Sequence, residues 1–279
     1  MVMVAPIHEP LRLAERVAML DQFSQGRMVF SVGTGYRKYE FDGLGVDIND
    51  STERLRECMD ICMQAFGDGK VNHQGKHFQV NDVEVYPKPY QSPRPPVYLT
   101  TARDDSVRWA ASQGYGVLPA AGFSPFELKH TYDIHDQVSR EHGHGILETR
   151  PFFKWIYVDE DEDRAREVAQ NYFMKTVMAF AYGEQHLLSA LSKKIRQTWP
   201  ADKDLADYNP MDLSFDKMTV PSHTPLAYGS PERVLDMLGP CVDAGANFFI
   251  GGFNMGVMPP EMVKNSMQLF AEKVMPKLG

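Results

Sequence analysis

Positive charge is scarce in this 279-residue chain: 29 Lys and Arg stand against 37 Asp and Glu, a formal net charge of -8. No basic stripe forms, so nucleic acid is excluded as the natural partner. No apolar run approaches the ~20 residues that span a bilayer. The start, "MVMVAPIHEP", lacks a basic n-region, and its apolar stretch is too short for a signal peptide. These absences predict a soluble, cytoplasmic protein with no membrane partner. Cysteine is scarce too, at three residues. Cys58 and Cys62 lie four apart in "RECMDICMQAF", on one face of a predicted helix, with no further ligands nearby. They read as buried thiols in a reducing compartment, as does Cys241. The histidines form no HExxH pattern, and His142 and His144 sit in a polar Gly-rich turn. No metal site is expected.

What is present is alternation. Short apolar runs, with strands expected near 1–5, 28–33, 97–101, 116–119, 152–158 and 247–251, are separated by helical patterns. "EPLRLAERVAMLDQFSQG" carries apolar residues at helical spacing, with Pro10 at its start and Gly26 past its end. "STERLRECMDICMQAF" is a second helix, and "VNHQGKHFQVNDVEVYPKP" alternates like a small hairpin. Strands alternating with helices imply a parallel sheet with crossover helices. The strands read as near-continuous apolar runs, as when both faces are buried. A doubly wound sheet competes with a (β/α)8 TIM-barrel type. The barrel fits better, because function-like residues follow many strand ends: Gly33-Thr34-Gly35, Thr100-Thr101-Ala102-Arg103, Pro119-Ala120-Ala121 and Gly251-Gly252-Phe253-Asn254. Residues 183–226 mix polar residues, Pro and Trp199 without a clean period, and read as an insertion of the kind that forms lids.

Three blocks together resemble the bacterial luciferase-like flavin-dependent monooxygenases. They are "AERVAMLDQFSQGRMVFSVGTGYRKYEFDGLGVD", "PKPYQSPRPPVYLTTARDDSVRWAASQGYG" and "FFIGGFNMGVMPPEMVKNSMQLFAEKVMPKL". LDQxSxGR leading into a strand with a Gly-x-Gly end is the most specific part. The resemblance implies a single barrel domain over 1–279. It also implies an oxidoreductase using reduced FMN, supplied by a separate flavin reductase, and O2. The substrate would be a small organic molecule such as an aldehyde or ketone. One branch of the family uses the deazaflavin F420 instead.

The resemblance also assigns residues. Gly33 leaves room beside the flavin ring, against the alternative of tight packing alone. Thr34 stands where luciferase has an Arg that reaches the flavin phosphate, and Thr cannot supply that charge. "TARDDSVRW" resembles the phosphate loop, giving Ala102, Arg103 and Ser106, with the guanidinium of Arg103 able to bind phosphate bidentately. For Arg103 a solvated loop charge competes, and for Ser106 an ordinary helix start. Asp104 and Asp105 suit the positive end of the helix they open and should point away from a phosphate. Tyr36, Phe123, Trp155 and Phe253 would form a dry substrate pocket, against ordinary barrel packing.

Residues 1–6 resemble the end of the family's third strand, so two βα units, ~80 residues of a barrel of ~250 or more, have no counterpart. A misassigned start, a fragment of a longer gene, and a natural truncation that binds flavin without catalysis or serves as a partner subunit all stay open. The family's presumed acid/base histidine falls in that part, which leaves the catalytic residues unknown and His8 as a candidate against an exposed loop histidine. As written, the chain is expected to be nearly inactive. A homodimer or heterodimer is expected, because "EPLRLAERVAMLDQFSQG" has more apolar surface than one core face needs.

Overall fold

The computed structural model describes residues 2–119, 122–181 and 225–278. The described elements run β1 (Met3–Val4), α1 (Pro10–Ser24), β2 (Phe30–Gly33), α2 (Lys38–Gly43), α3 (Ser51–Phe66), β3 (Val71–Gln74), β4 (Gln79–Val83), β5 (Val97–Thr101), α4 (Asp104–Ser112) and β6 (Gly116–Pro119). They continue with α5 (Pro125–Glu141), β7 (Pro151–Val158), α6 (Glu162–Ala181), β8 (Leu226–Gly229), α7 (Pro231–Asp243), β9 (Phe248–Gly252) and α8 (Pro260–Leu269), which runs on into a π turn at Phe270–Val274. Two compact units result. One is Met1–Leu118 with Val138–Gly145, and the other is Pro119–Gln137 with Ile146–Gly279.

In the first unit, the sheet order β1-β2-β5-β6 follows the chain, with the β3–β4 hairpin set aside. The pairings β1–β2 and β2–β5 are parallel, with Val4 opposite Gly33 and Val32 opposite Leu99. One face is fully apolar: Phe30, Val32, Val97 and Leu99 are buried. Phe30 meets Phe66 of α3 edge to face at 6.4 Å. The other face carries half-buried Ser31, Tyr98 and Thr100. These strands therefore alternate, and the expectation of uniformly apolar runs is corrected here: "FSVG" and "VYLTT" change polarity at every second residue.

Local chemistry fixes the helices. Glu9 caps α1 by accepting from the N–H groups of Leu11 and Arg12, and Pro10 takes the first position, where no N–H is needed. The helix ends on Gln25 in the left-handed region (φ 53°), with Gly26, also left-handed, just past it as expected. Gly26 N–H then closes back on Asp21 carbonyl. The buried Asp21 carboxylate accepts from Gln91 N–H and from its side-chain amide, both at 2.8 Å. Glu57 of α3 holds the hairpin by accepting backbone N–H bonds from Lys76, His77 and Phe78 at 3.0 Å each. A side chain at Gly75 would block that approach, since a Cβ there would lie 2.1 Å from Glu57 Oε2.

In the second unit, β7 is eight residues long and lies between β8 and β9. Its first half pairs with β9 and its second half with β8, both parallel. Beyond the reach of β9, Ser266 of α8 accepts the Val158 N–H at 2.8 Å, which satisfies a strand edge. Strand β8 escapes sequence reading because its four residues adjoin the polar stretch 183–226; residues 183–224 of that expected insertion lie outside the described residues. All three cysteines are free and buried. No helix among the described residues is long and apolar enough to cross a membrane.

Candidate functional site

The parallel strands of the first unit deliver their C-terminal ends to one edge of the sheet. Val4 and Gly33 are paired there, and Thr100 carbonyl lies 3.6 Å from where a Gly33 Cβ would be. On the same face Ser31 and Thr100 hydroxyls are 3.2 Å apart. Behind that row, α4 starts three residues after β5, and the first turn of α3, reached from β2 by way of α2, meets the start of α4 through the contact of Arg103 with Thr52.

The turn after β2 depends on its glycines. Gly35 has φ +76°, and a Cβ on it would lie 2.6 Å from Val4 and 2.8 Å from the Phe41 ring. Gly33 is tight but not left-handed: its Cβ would meet Val2 at 3.0 Å. Thr34 donates to the Gly35 carbonyl at 3.4 Å. Tyr36 is 40% exposed at the rim, with the Arg37 guanidinium 5.4 Å from its ring centroid.

The turn after β5 forms the most concentrated polar group. Thr101 hydroxyl accepts the Arg103 N–H at 3.1 Å. Arg103 folds back over the first turn of α4, where its Nη2 and Nε donate to Ser106 Oγ at 3.0 and 3.3 Å. Ser106 is buried, whereas the Arg103 side chain is 55% exposed. Nη2 also reaches Thr52 Oγ1 of α3 at 3.5 Å, and Asp105 lies 3.5 Å from Nε. Asp105 therefore leans toward the guanidinium rather than away from it. Ala102 is exposed beside them. The sequence-assigned Arg103 and Ser106 thus come together with Thr100 and Thr101, which the strand-end pattern also marked, and Thr52 and Ser31 join the edge unforeseen. A signal existed for the strand residues, in the alternation of "FSVG" and "VYLTT". Thr52 gave none, because only the fold brings α3 to α4.

His8 follows β1 and is half-buried rather than exposed. Burial, with Arg16 adding to it, pushes its imidazole below the usual value of 6.5, which keeps it neutral at pH 7. In the second unit, Trp155 and Phe253 lie on opposite faces of the three-stranded sheet. A Cβ on Gly252 would strike Trp155 at 2.5 Å, and one on Gly251 would strike Phe253 at 2.7 Å. Trp155 packs against the cluster built on α6, while Phe253 meets Phe270 edge to face at 5.3 Å. Phe123 is buried, and its carbonyl accepts from Lys154 at 3.0 Å.

Two other places were candidates. A cleft of about 560 Å³ at the end of β7 is lined by Tyr157, Asp159, Arg164 and Ser266, among others. Its polar groups serve one another: Tyr157 hydroxyl and Arg164 Nε donate to Asp159 at 3.2 and 2.7 Å. Burial, reinforced by Asp159, pushes the Tyr157 phenol up to about 12, so it is no acid or base at neutral pH. Asp50, Glu53 and His77 bring potential ligand atoms within 4.8 Å. The Lys76 ammonium, 3.3 Å from Asp50 and 2.7 Å from Glu53, already supplies the positive charge there.

Comparison with known proteins completes the description. The luciferase-like monooxygenase family matches residues 1–247. The alkanal monooxygenase alpha chain of the Kryptophanaron alfredi symbiont is 25% identical over 281 residues, covering 99% of this chain and 77% of that protein. The oxygenating constituent of 3,6-diketocamphane monooxygenase from the CAM plasmid of Pseudomonas putida, a type II Baeyer-Villiger enzyme solved with FMN, superposes with a TM-score of 0.77 at 17% identity. That match covers 100% of this chain and 79% of the other. The F420-dependent tetrahydromethanopterin reductase of Methanopyrus kandleri superposes with a TM-score of 0.68 at 20% identity, over 98% and 80%. At such identities the two structures speak for the fold, an α/β fold with parallel sheet.

Proposed function

The chain belongs to the luciferase-like monooxygenase family, and from that premise we propose that it works as a flavin-dependent monooxygenase on a small organic substrate such as an aldehyde or ketone. The observation that carries this reading is the junction of β5 and α4. There a half-exposed guanidinium, a buried hydroxyl and the positive end of a helix meet at the C-terminal edge of a parallel sheet. This donor set fits a phosphate dianion. Nη1 of Arg103 has no partner among the described residues, and Nη2 is held only by neutral hydroxyls.

We assign Arg103, Ser106 and Ala102 to the phosphate of FMN, and Gly33 and Thr34 to the ring side of the same cofactor. Reduced flavin supplies the electrons that O2 needs. The chain's residues bind, orient and exclude water. Tyr36 is the aromatic residue at the rim of this edge and is assigned to the substrate side. Trp155 and Phe253 lie on opposite faces of their sheet, so at most one of them shares a wall with substrate. Neutral His8 is suited to accept a proton. A separate reductase would supply the reduced flavin, and the three buried thiols fit a cytoplasmic setting. Met19, Leu20 and Phe23 of α1 are 43, 55 and 77% exposed, which favours pairing with a second subunit.

The test supplies chemically reduced FMN, O2 and a panel of aldehydes and ketones, with product analysis by mass, alongside direct binding of FMN and F420. Oxygenated product with FMN supports the reading. Exclusive binding of F420 would replace the monooxygenase by an F420-dependent oxidoreductase. FMN binding without any turnover would leave a non-catalytic flavoprotein.

A further inference from the structure

Strands β2 and β5 bring two hydroxyls together on the half-buried face of the first unit's sheet. Ser31 stands opposite Tyr98 in the parallel register, and its side chain reaches along β5 to Thr100, where the two oxygens lie 3.2 Å apart. The other face of the same strands is apolar core, with Phe30, Val32, Val97 and Leu99 buried. A pair of hydroxyls carries two protons, and the bond between them uses one. Neither side chain makes another hydrogen bond among the described residues, so the second proton is unspent. Gly33 follows Ser31 on the same face, and its lack of a side chain leaves the pair open toward the C-terminal edge. Beside the pair, the Tyr98 ring is pressed against β6, where a Cβ on Gly116 would strike it at 2.5 Å. Thr101 takes no part, because its hydroxyl serves the Arg103 N–H.

We propose that Ser31 and Thr100 form the polar end of the substrate site. The pair donates one hydrogen bond to a carbonyl oxygen, and the Tyr98 ring takes the apolar body next to it. This rests on the reading of the chain as a monooxygenase of small carbonyl compounds. Neither hydroxyl is charged, so the pair suits a neutral oxygen and has nothing with which to neutralise a carboxylate. A hydrocarbon of the same shape would leave the proton unpaired, so the pair selects a carbonyl compound over an alkane.

The test titrates the full chain with cyclohexanone, hexanal and methylenecyclohexane, which has the shape of the ketone and no oxygen. It also records the infrared carbonyl stretch of the bound ketone and aldehyde. In wild type that stretch should lie below its value in a hydrocarbon solvent, the mark of a hydrogen bond. The double variant Ser31→Ala/Thr100→Val should abolish the lowering and bind the ketone about fivefold more weakly, the scale of one hydrogen bond. Methylenecyclohexane should bind both proteins alike. Thr100→Ser keeps both hydroxyls and should match wild type to within about twofold. Failure of wild type to bind either carbonyl compound, or an unlowered stretch in wild type, would overturn the proposal without recourse to a variant. A lowering that persists in the double variant would assign the bond to another donor. Equal weakening of ketone and methylenecyclohexane would mark lost packing, and either result overturns it. Oxygenation of the ketone by the double variant at the wild-type KM would do the same and leave the monooxygenase reading in place. A lowering that depends on the pair, with no turnover by any of the proteins, would keep the carbonyl site and remove the monooxygenase.

Discussion

Replacing Gly35 by Ala tests how the turn after β2 is built. Gly35 sits at φ +76°, where an L side chain costs about 1–2 kcal/mol. The added methyl would also lie 2.6 Å from Val4 Cγ1 and 2.8 Å from the Phe41 ring. Phe41 is fully buried and has nowhere to retreat. Overpacking of that kind costs about 1–3 kcal/mol. Together the two effects predict a loss of about 2–5 kcal/mol, or a fall in Tm on the order of 10 °C for a chain this size. Gly43 is the internal control. It closes α2, and a Cβ there meets nothing within 4 Å. Gly43→Ala should leave the midpoint nearly where it was. Thermal unfolding of both variants, followed by circular dichroism, decides the matter. Equal midpoints for the two would refute the reasoning, because the only differences invoked are the left-handed backbone and the contacts with Val4 and Phe41.

Two further outcomes are expected. Glu57→Gln places an amide against three backbone N–H donors and should cost about 1–3 kcal/mol at neutral pH in urea unfolding. Burial works to raise the Glu57 carboxyl, but the N–H groups of His77 and Phe78, with His73 and Lys76, hold it below the usual range. That stability is present above the unfolded value of about 4.3 and fades as pH falls through the lower folded one. The gap between wild type and variant should therefore close in acid; a gap that persists at pH 2 would sink this account. For His8, the acid limb of the pH–rate profile should lie below 6.5 and vanish in His8→Gln. An unchanged limb in that variant would remove His8 from proton transfer.

The sequence was most legible where one physical rule acts alone. The 3.6-residue period of α1 and α3 marked both helices, and "QGK" between alternating runs marked the β3–β4 hairpin. Reading failed where long-range contacts decide. Strand β8 is four residues long and has no period of its own; it is a strand because the second half of β7 offers it an edge. Gly26 does lie just past α1, as its sequence position suggests, but the left-handed cap at Gln25 carried no glycine to announce it. The site shows the same division. Arg103 and Ser106 share one helix turn, so their partnership could be read from spacing. Thr52 stands 51 residues away from Arg103, and only the parallel pairing of β2 with β5 explains its arrival.

The central claim is that the flavin phosphate is held at the start of α4 by Arg103. Calorimetric titration of FMN into wild type and Arg103→Ala tests it most directly, with riboflavin as the ligand that lacks the phosphate. A charge-assisted pair predicts about 1.5–3 kcal/mol, hence FMN binding about 10- to 100-fold weaker in the variant and riboflavin binding unchanged. Equal FMN affinity in the two proteins would contradict the account.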